Sequence, residues 1–460
     1  MISFARWIFL GTLIYAPWAY GSTRPWAIVL LNYFLWSCGG ICAIGWLWER
    51  YRPRLPLVPL ICFSLLIFQA WWMWFNASAY YDTSYWEFIY LSQPFPALPG
   101  SWDKAATLLT LQSLIGLAVA FFLTADLVAD RLWRQRLWKT MGLAGGSIIL
   151  FGLTQRAAHA PSIFWLNEDT GHSFFGGYRY HANAGSYLNL IWPVLAVLTV
   201  EAWREKENHT SRAFWLGFLL LGLSACFINV SRGANGITLL LLIPALLAFL
   251  PFFRDQLLFL PKKIGVITVL LLAAFIGALI LGGSLYQTQN RWEQLQQQIN
   301  PDNLRFLVHQ ATFKMIPQAG WFGFGAGTFS TMFPYFTNYL GDKVAGIWFY
   351  AHEDYLQTVV EYGYIGAAFW SLLFFGGLAK VLRGGFNRSL RTNDRIECRG
   401  AALALAAIAL HSLVDFPLQV YSIQLYVMAF LAYGWTCTRG SRRKRETSLS
   451  NSSREGGVQS

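Results

Sequence analysis

Twelve apolar stretches, each near the ~20 residues a helix needs to cross a hydrocarbon core, constrain this chain more than any other feature. They run near 4–20, 26–48, 56–75, 105–125, 138–154, 184–200, 213–230, 234–253, 264–284, 355–379, 400–413 and 417–437. Charged residues are 13% of the chain, against about 25% in ordinary soluble domains. The reading is an all-α polytopic membrane protein of about 12 transmembrane helices. The eleventh stretch is short, with His411 and Asp415 at its end, so it is expected to be tilted or paired with the twelfth as a re-entrant hairpin.

The loops orient the chain. With the N-terminus in the cytoplasm, every second loop is cytoplasmic, and these loops, with Arg6 and the tail, hold 26 of the 35 Lys and Arg. The exceptions are Arg24, Lys104, Arg156, Arg179, Arg232, Arg291, Arg305, Lys314 and Lys343. Such an excess of positive charge on one side is how membrane proteins set their topology. The net charge of +12 therefore reports orientation. No nucleic-acid-binding motif accompanies it, and no nucleic-acid partner is expected. Both termini are expected in the cytoplasm. The first span is read as retained, not as a cleaved signal. The tail, 439–460, is basic and then Ser- and Gly-rich, and is expected to be disordered. The six cysteines have neither metal-ligand nor secreted-disulfide spacing, and packing is the simpler role for them.

Three loops on the opposite side are long. In the first, about 76–104, the prolines of SQPFPALPGSWDKAAT argue against a regular element. The second is about 155–183. The third, about 285–354, contains Asn303–Ile316, where Leu304, Leu307, Val308, Ala311 and Met315 share one face. That is an amphipathic helix ended by Pro317 and expected to lie along the membrane surface. Gly323, Gly325 and Gly327 follow in GFGAGTF and allow a tight turn or a close backbone approach.

The arginines on this second side run against the topological bias and so carry information. Arg232 stands between two spans in Ser231-Arg232-Gly233; its planar fork suits phosphate oxygens at a helix start that itself favours anions. The simpler alternative is an internal ion pair with Asp415 or Glu353. Arg305 projects from the amphipathic helix, as either a phosphate ligand or a solvated surface arginine. Arg179, in GGYRYHANAG, has Tyr178, Tyr180, His181 and Asn183 for neighbours. His352 is the candidate base, because imidazole titrates near neutrality and an adjacent acid can orient it. Glu353 and Asp354 follow it and can also cap the helix that starts there. His411 and Asp415, four residues apart, are read most simply as a mutual hydrogen bond. No metal-ligand pattern, phosphate-binding loop or serine elbow is present. No metal and no cofactor is expected.

At these residues the sequence resembles the O-antigen ligase and polymerase superfamily of bacterial envelope glycosyltransferases. The likeness rests on FGGYRYHANAGSYLNLIWPV at 175–194, SRGANGITLLL at 231–241, Arg305 through MIPQAGWFGFGAGTF, AHEDYLQTVVEYGYIG at 351–366, and HSLVDFPLQ at 411–419. The resemblance implies a C-type glycosyltransferase-like membrane domain over 1–438, with its core at about 175–380 and its large periplasmic loop at about 285–354. It implies metal-independent, inverting transfer of a glycan from undecaprenyl pyrophosphate to an acceptor hydroxyl, at a periplasmic site in the bacterial inner membrane. Partners would be the lipid-linked donor, a lipid or glycan acceptor, and membrane lipids. Carried over by residue, Arg232 and Arg305, with Arg179 behind them, would bind the pyrophosphate. His352, with Glu353, would activate the acceptor or orient the donor. Family members often have Asn where Glu353 stands. The acceptor separates a ligase from a polymerase, and a transporter of lipid-linked sugars is the alternative from another class. A transporter predicts charges deep in the spans and repeats between halves; the sequence has neither.

Overall fold

The computed structural model describes residues 1–53, 55–166, 174–257, 304–344 and 347–437. The helices are α1 (Ile2–Trp18), α2 (Pro25–Trp48), α3 (Leu57–Phe75), α4 (Lys104–Leu127), α5 (Arg131–Ala157) and α6 (His181–Arg204). Then follow α7 (His209–Ile228), α8 (Arg232–Leu257), α9 (Leu304–Ala319), α10 (Asp354–Phe386), α11 (Thr392–His411) and α12 (Tyr421–Cys437). Among the described residues, eight helices, α2 to α8 and α10, are long and apolar enough to cross a membrane. The chain is thus a mostly helical polytopic membrane protein. Every predicted stretch but the ninth falls on one of these helices. The ninth, near 264–284, lies outside the described residues, as do 285–303, Arg54, Lys262, Lys263, Arg291 and the tail.

Asp103, Asp130 and Asn208 start α4, α5 and α7, their side-chain oxygens accepting from backbone N–H groups of the first turn. The centre of the bundle is α6, buried along its apolar length and packed by α5, α7, α8 and α11. A helix apolar on every side belongs in a core, and Asn189 of α6 is satisfied there. Asn189 donates to Ala234 O (3.0 Å) and accepts from Thr238 (2.7 Å) and Trp192 (3.1 Å), tying α6 to the start of α8.

Four expectations change. The fold is not purely helical: β1 (Ala79–Asp82) and β2 (Glu87–Tyr90) form an antiparallel hairpin in register Ala79↔Tyr90 to Asp82↔Glu87. Its Tyr- and Phe-rich strands have β propensity and precede the proline stretch, which is irregular as expected. Second, α9 runs through Pro317 to Ala319, because a proline in the last turn removes one bond only. The helix ends at Gly320, in the left-handed region at φ +61°. Third, the apolar face of α9 is covered by protein. Leu307, Val308, Ala311 and Met315 pack with Phe324, Phe329, Phe333 and Val360, and α9 lies along α10. Fourth, α11 begins at Thr392, ahead of the predicted 400, because its first turns carry charges that are paired. Arg134 of α5 contacts Asp394 (2.7 Å) and Glu397 (3.1 Å).

Gly363 (φ +64°) breaks α10. The piece beyond it, 364–386, is long enough alone to span ~30 Å of hydrocarbon, leaving the first two turns outside that span. The break frees carbonyls, and the glycine loop fills them. Phe324 N donates to Val360 O (3.0 Å) and Gly325 N to Glu361 O (3.1 Å). From the other side, Gln69 Nε2 donates to Tyr362 O (2.7 Å). A Cβ on Gly323 would sit 2.2 Å from Glu361 O, so here the close backbone approach requires glycine.

Candidate active site

The site forms where the start of α10 meets the turn after α11. Glu353 is the N-cap of α10, accepting from Leu356 N. Burial pushes its carboxyl above the usual range, against the lowering by the backbone N–H bonds. Asp354 is fully buried and fastens the two segments. Its carboxylate accepts from Ser412 Oγ (2.9 Å), Leu418 N (2.9 Å) and Gln419 Nε2 (3.2 Å). Its own N–H donates to Ser412 O (3.0 Å).

This joint delivers His352 to Asp415. His352 Nδ1 lies 3.1 Å from Asp415 Oδ1, and the two side chains are 18% and 6% exposed. With the proton on Nδ1 shared with the carboxylate, Nε2 is the basic nitrogen. The imidazole is held edge-on to Phe416 (4.7 Å between ring centres) and to Trp348 (5.6 Å). His309 of α9 reaches the His352 carbonyl at 3.2 Å. Burial works to raise the Asp415 carboxyl. The hydrogen bond and charge of His352, then the charge of Arg305, outweigh it and hold the group below its usual range. His352 has a left-handed backbone, φ +55°. So does the β-branched Val230 at the entry to Ser231-Arg232, φ +63°. Such conformations cost free energy and gather at functional sites, though loop residues such as Trp86 and Lys206 share them here.

Arg305 arrives from α9 and donates to Tyr180 Oη at 2.9 Å. Tyr180 caps α6 and stacks on Phe416 with the rings 3° from parallel. Burial first, then Asp415, push its phenol up to about 12. Arg179, one residue earlier, is exposed. Arg232 is the half-buried first residue of α8, and Gly233 beside it faces His411: a Cβ there would be 3.7 Å from His411 Nε2. His411 and Asp415 do not pair through their side chains. His411 Nδ1 bonds Ser186 Oγ (2.8 Å), while Asp415 serves His352. The reason is helical geometry: Asp415 lies past the end of α11, where the chain has turned toward α10.

The structure thus gathers His352, Arg305, Tyr180, Asp415 and Ser186–His411, with Arg232 at the next helix start. Sequence reasoning singled out His352, Glu353, Arg232, Arg305 and Arg179. It did not assign Asp415 to His352 or Tyr180 to Arg305, since those partners lie far apart in the chain. Among the described residues, no group of His, Cys, Asp or Glu is placed to hold a metal ion. Chemically, the arrangement offers an oriented base beside guanidinium groups and a helix start.

Residues 210–371 match a family model described as O-antigen ligase. The matched span takes in Arg232, Arg305, His352 and Glu353 and stops before His411 and Asp415. No curated protein matches the chain.

Proposed function

We propose that this chain, which belongs to the O-antigen ligase and polymerase superfamily through residues 210–371, transfers a glycan from undecaprenyl pyrophosphate to an acceptor hydroxyl at the periplasmic face of the bacterial inner membrane. The observation that carries this reading is the His352–Asp415 contact, with Arg305 close enough to act on the same carboxylate.

The acceptor hydroxyl attacks the anomeric carbon, and a new C–O bond forms as the bond to the pyrophosphate oxygen breaks. The hydroxyl proton passes to His352 Nε2, and undecaprenyl pyrophosphate leaves. Asp415 fixes the tautomer and stabilises the imidazolium. Pyrophosphate needs neutralisation of charge more than it needs a proton. Arg305 and Arg232 supply that, with the amides at the start of α8 and with Arg179 at the rim. Attack from the face opposite the leaving group inverts the anomeric centre. Glu353 acts by capping α10 and so positioning His352. No step uses a metal.

The test is reconstitution in nanodiscs with a labelled undecaprenyl-pyrophosphate glycan, candidate acceptors and chelator. Transfer with release of undecaprenyl pyrophosphate, lost in His352→Ala, is the expected result. Transfer to lipid A core marks a ligase; extension of a lipid-linked glycan marks a polymerase. Movement of the donor across the bilayer without transfer would replace this reading with transport.

A further inference from the structure

A second concavity lies on the same side of the fold as His352, away from the groups that would do the chemistry. It is a groove of about 350 Å³ between the loop that follows the hairpin and the end of α9. Ser78, Gln93 and Trp102 form one wall, and Gln318 and Trp321 the other. Among the described residues its lining has no charged side chain.

The first wall is rigid. Asn76 is fully buried, and its amide donates to Phe95 O (3.0 Å), Leu98 O (3.0 Å) and Pro99 O (3.2 Å) while accepting from Phe95 N (2.9 Å). Gln93 Nε2 is fixed to Asn76 O (2.9 Å). The two walls are joined where Trp102 N donates to Phe324 O (3.0 Å). Trp102 and Trp321 remain 36% and 68% exposed at its edge. A groove held this firmly binds with little loss of freedom on its own side.

Its chemistry selects a class of ligand. Indole faces take flat apolar surface, and amides and a hydroxyl take hydroxyl groups that would otherwise be stripped of water. The absence of charge disfavours a phosphate or a charged headgroup. An acyl chain would offer no partner to the Gln318 amide or to the Gln93 carbonyl oxygen. A pyranose has both features required, C–H faces and a rim of hydroxyls. The groove lies near the proposed site: Gly323, in its wall, packs on Glu361, about two and a half turns or ~14 Å along α10 from His352.

We propose that this groove is a saccharide subsite, holding sugars of the donor or the acceptor away from the reacting bond. The inference rests on the glycan-transfer reading above. Trp321 also contacts Tyr364 edge-on (5.7 Å) where the spanning piece of α10 begins, so a plain interfacial anchor is the competing role.

The experiment separates these. Two lipid-free probes are titrated by calorimetry into the full chain in nanodiscs. One is the glycan released by mild acid from the undecaprenyl-linked pool, and the other is core oligosaccharide released from lipopolysaccharide. Wild type is expected to bind one of them, which identifies the source. Trp321→Ala and Gln93→Ala weaken that binding about fivefold or more, Trp321→Phe less, and His352→Ala leaves it in place. Equal thermal unfolding across the set shows that the variants fold. Binding of neither probe, or unchanged binding in Trp321→Ala and Gln93→Ala, overturns the subsite. Transfer from the lipid-linked donor, run on the same samples, keeps the two readings apart. Wild-type transfer with no effect of the groove variants removes the subsite alone. Absence of wild-type transfer removes the function on which it rests.

Discussion

The two ends of α11 carry charge in opposite ways. At its start, cations grip carboxylates across helices. Arg134 holds Asp394 and Glu397, Arg131 meets Glu205 at 3.4 Å, and Tyr433 donates to Glu397 at 2.6 Å. Arg204 reaches Asn393, which in turn donates to Glu205. At its other end, carboxylates hold a histidine, a serine and backbone N–H groups, while Arg305 donates to a phenol. A buried ion pair leaves little that a ligand could use, and breaking one partner is costly. An imidazole steadied by a carboxylate keeps one nitrogen for proton transfer. One end is closed by ion pairs across helices, and the other carries the groups proposed to meet the substrate.

That contrast can be broken from either side. The largest expected effect is in His352→Ala, which should lower transfer by about 10²–10⁴-fold, the usual worth of a positioned base. Its unfolding temperature should fall less than that of Arg134→Ala in a detergent melt, because His352 is the more exposed partner of its pair. Arg134→Ala should do the reverse. Loss of one partner from a buried pair costs about 3–5 kcal/mol, read as earlier unfolding, with transfer per folded molecule unchanged. If Arg134→Ala abolished transfer in folded protein, the division between the two ends would be wrong.

Asp415→Asn comes next. It keeps the shape and loses the charge, and should reduce transfer by about 10–100-fold, as losing the partner that orients a histidine does elsewhere. It also sharpens the comparison through pH. A carboxyl held below its unfolded value stabilises the fold above that value, near pH 3.9, and the contribution is lost as pH falls through the lower folded value. The Asp415 contribution to thermal stability should therefore be lost only below about pH 4, and Asp415→Asn should lack that component. The smallest effect is expected for Tyr180→Phe. Removing one hydrogen bond to Arg305 should raise the donor KM by about three- to tenfold, with kcat little changed.

Which parts could be read from the chain follows from how far apart partners lie. The spans are written locally, in apolar runs, and those among the described residues fall on helices. The charged opening of α11 is the exception, since Asp394 and Glu397 look like loop residues until Arg134 is seen beside them. Glu353 was legible as a cap from its place before an apolar helix, and it is one. His352, Arg305 and Arg232 stood out because each breaks a local rule. Asp415 did not, because its nearest titratable neighbour in sequence is His411, whereas the partner it takes is 63 positions away. The glycines of GFGAGTF were readable as a tight approach, but what they approach, the break at Gly363, was not.

That break also limits how the protein can open. Phe324 and Gly325 complete a hydrogen-bond ladder that α10 cannot complete alone, so their amides should exchange with solvent as slowly as those of a helix although they lie in a loop. A segment bound in this way cannot serve as a door. Any opening that the proposed transfer requires would have to come from other segments, with Phe324 and Gly325 held in place.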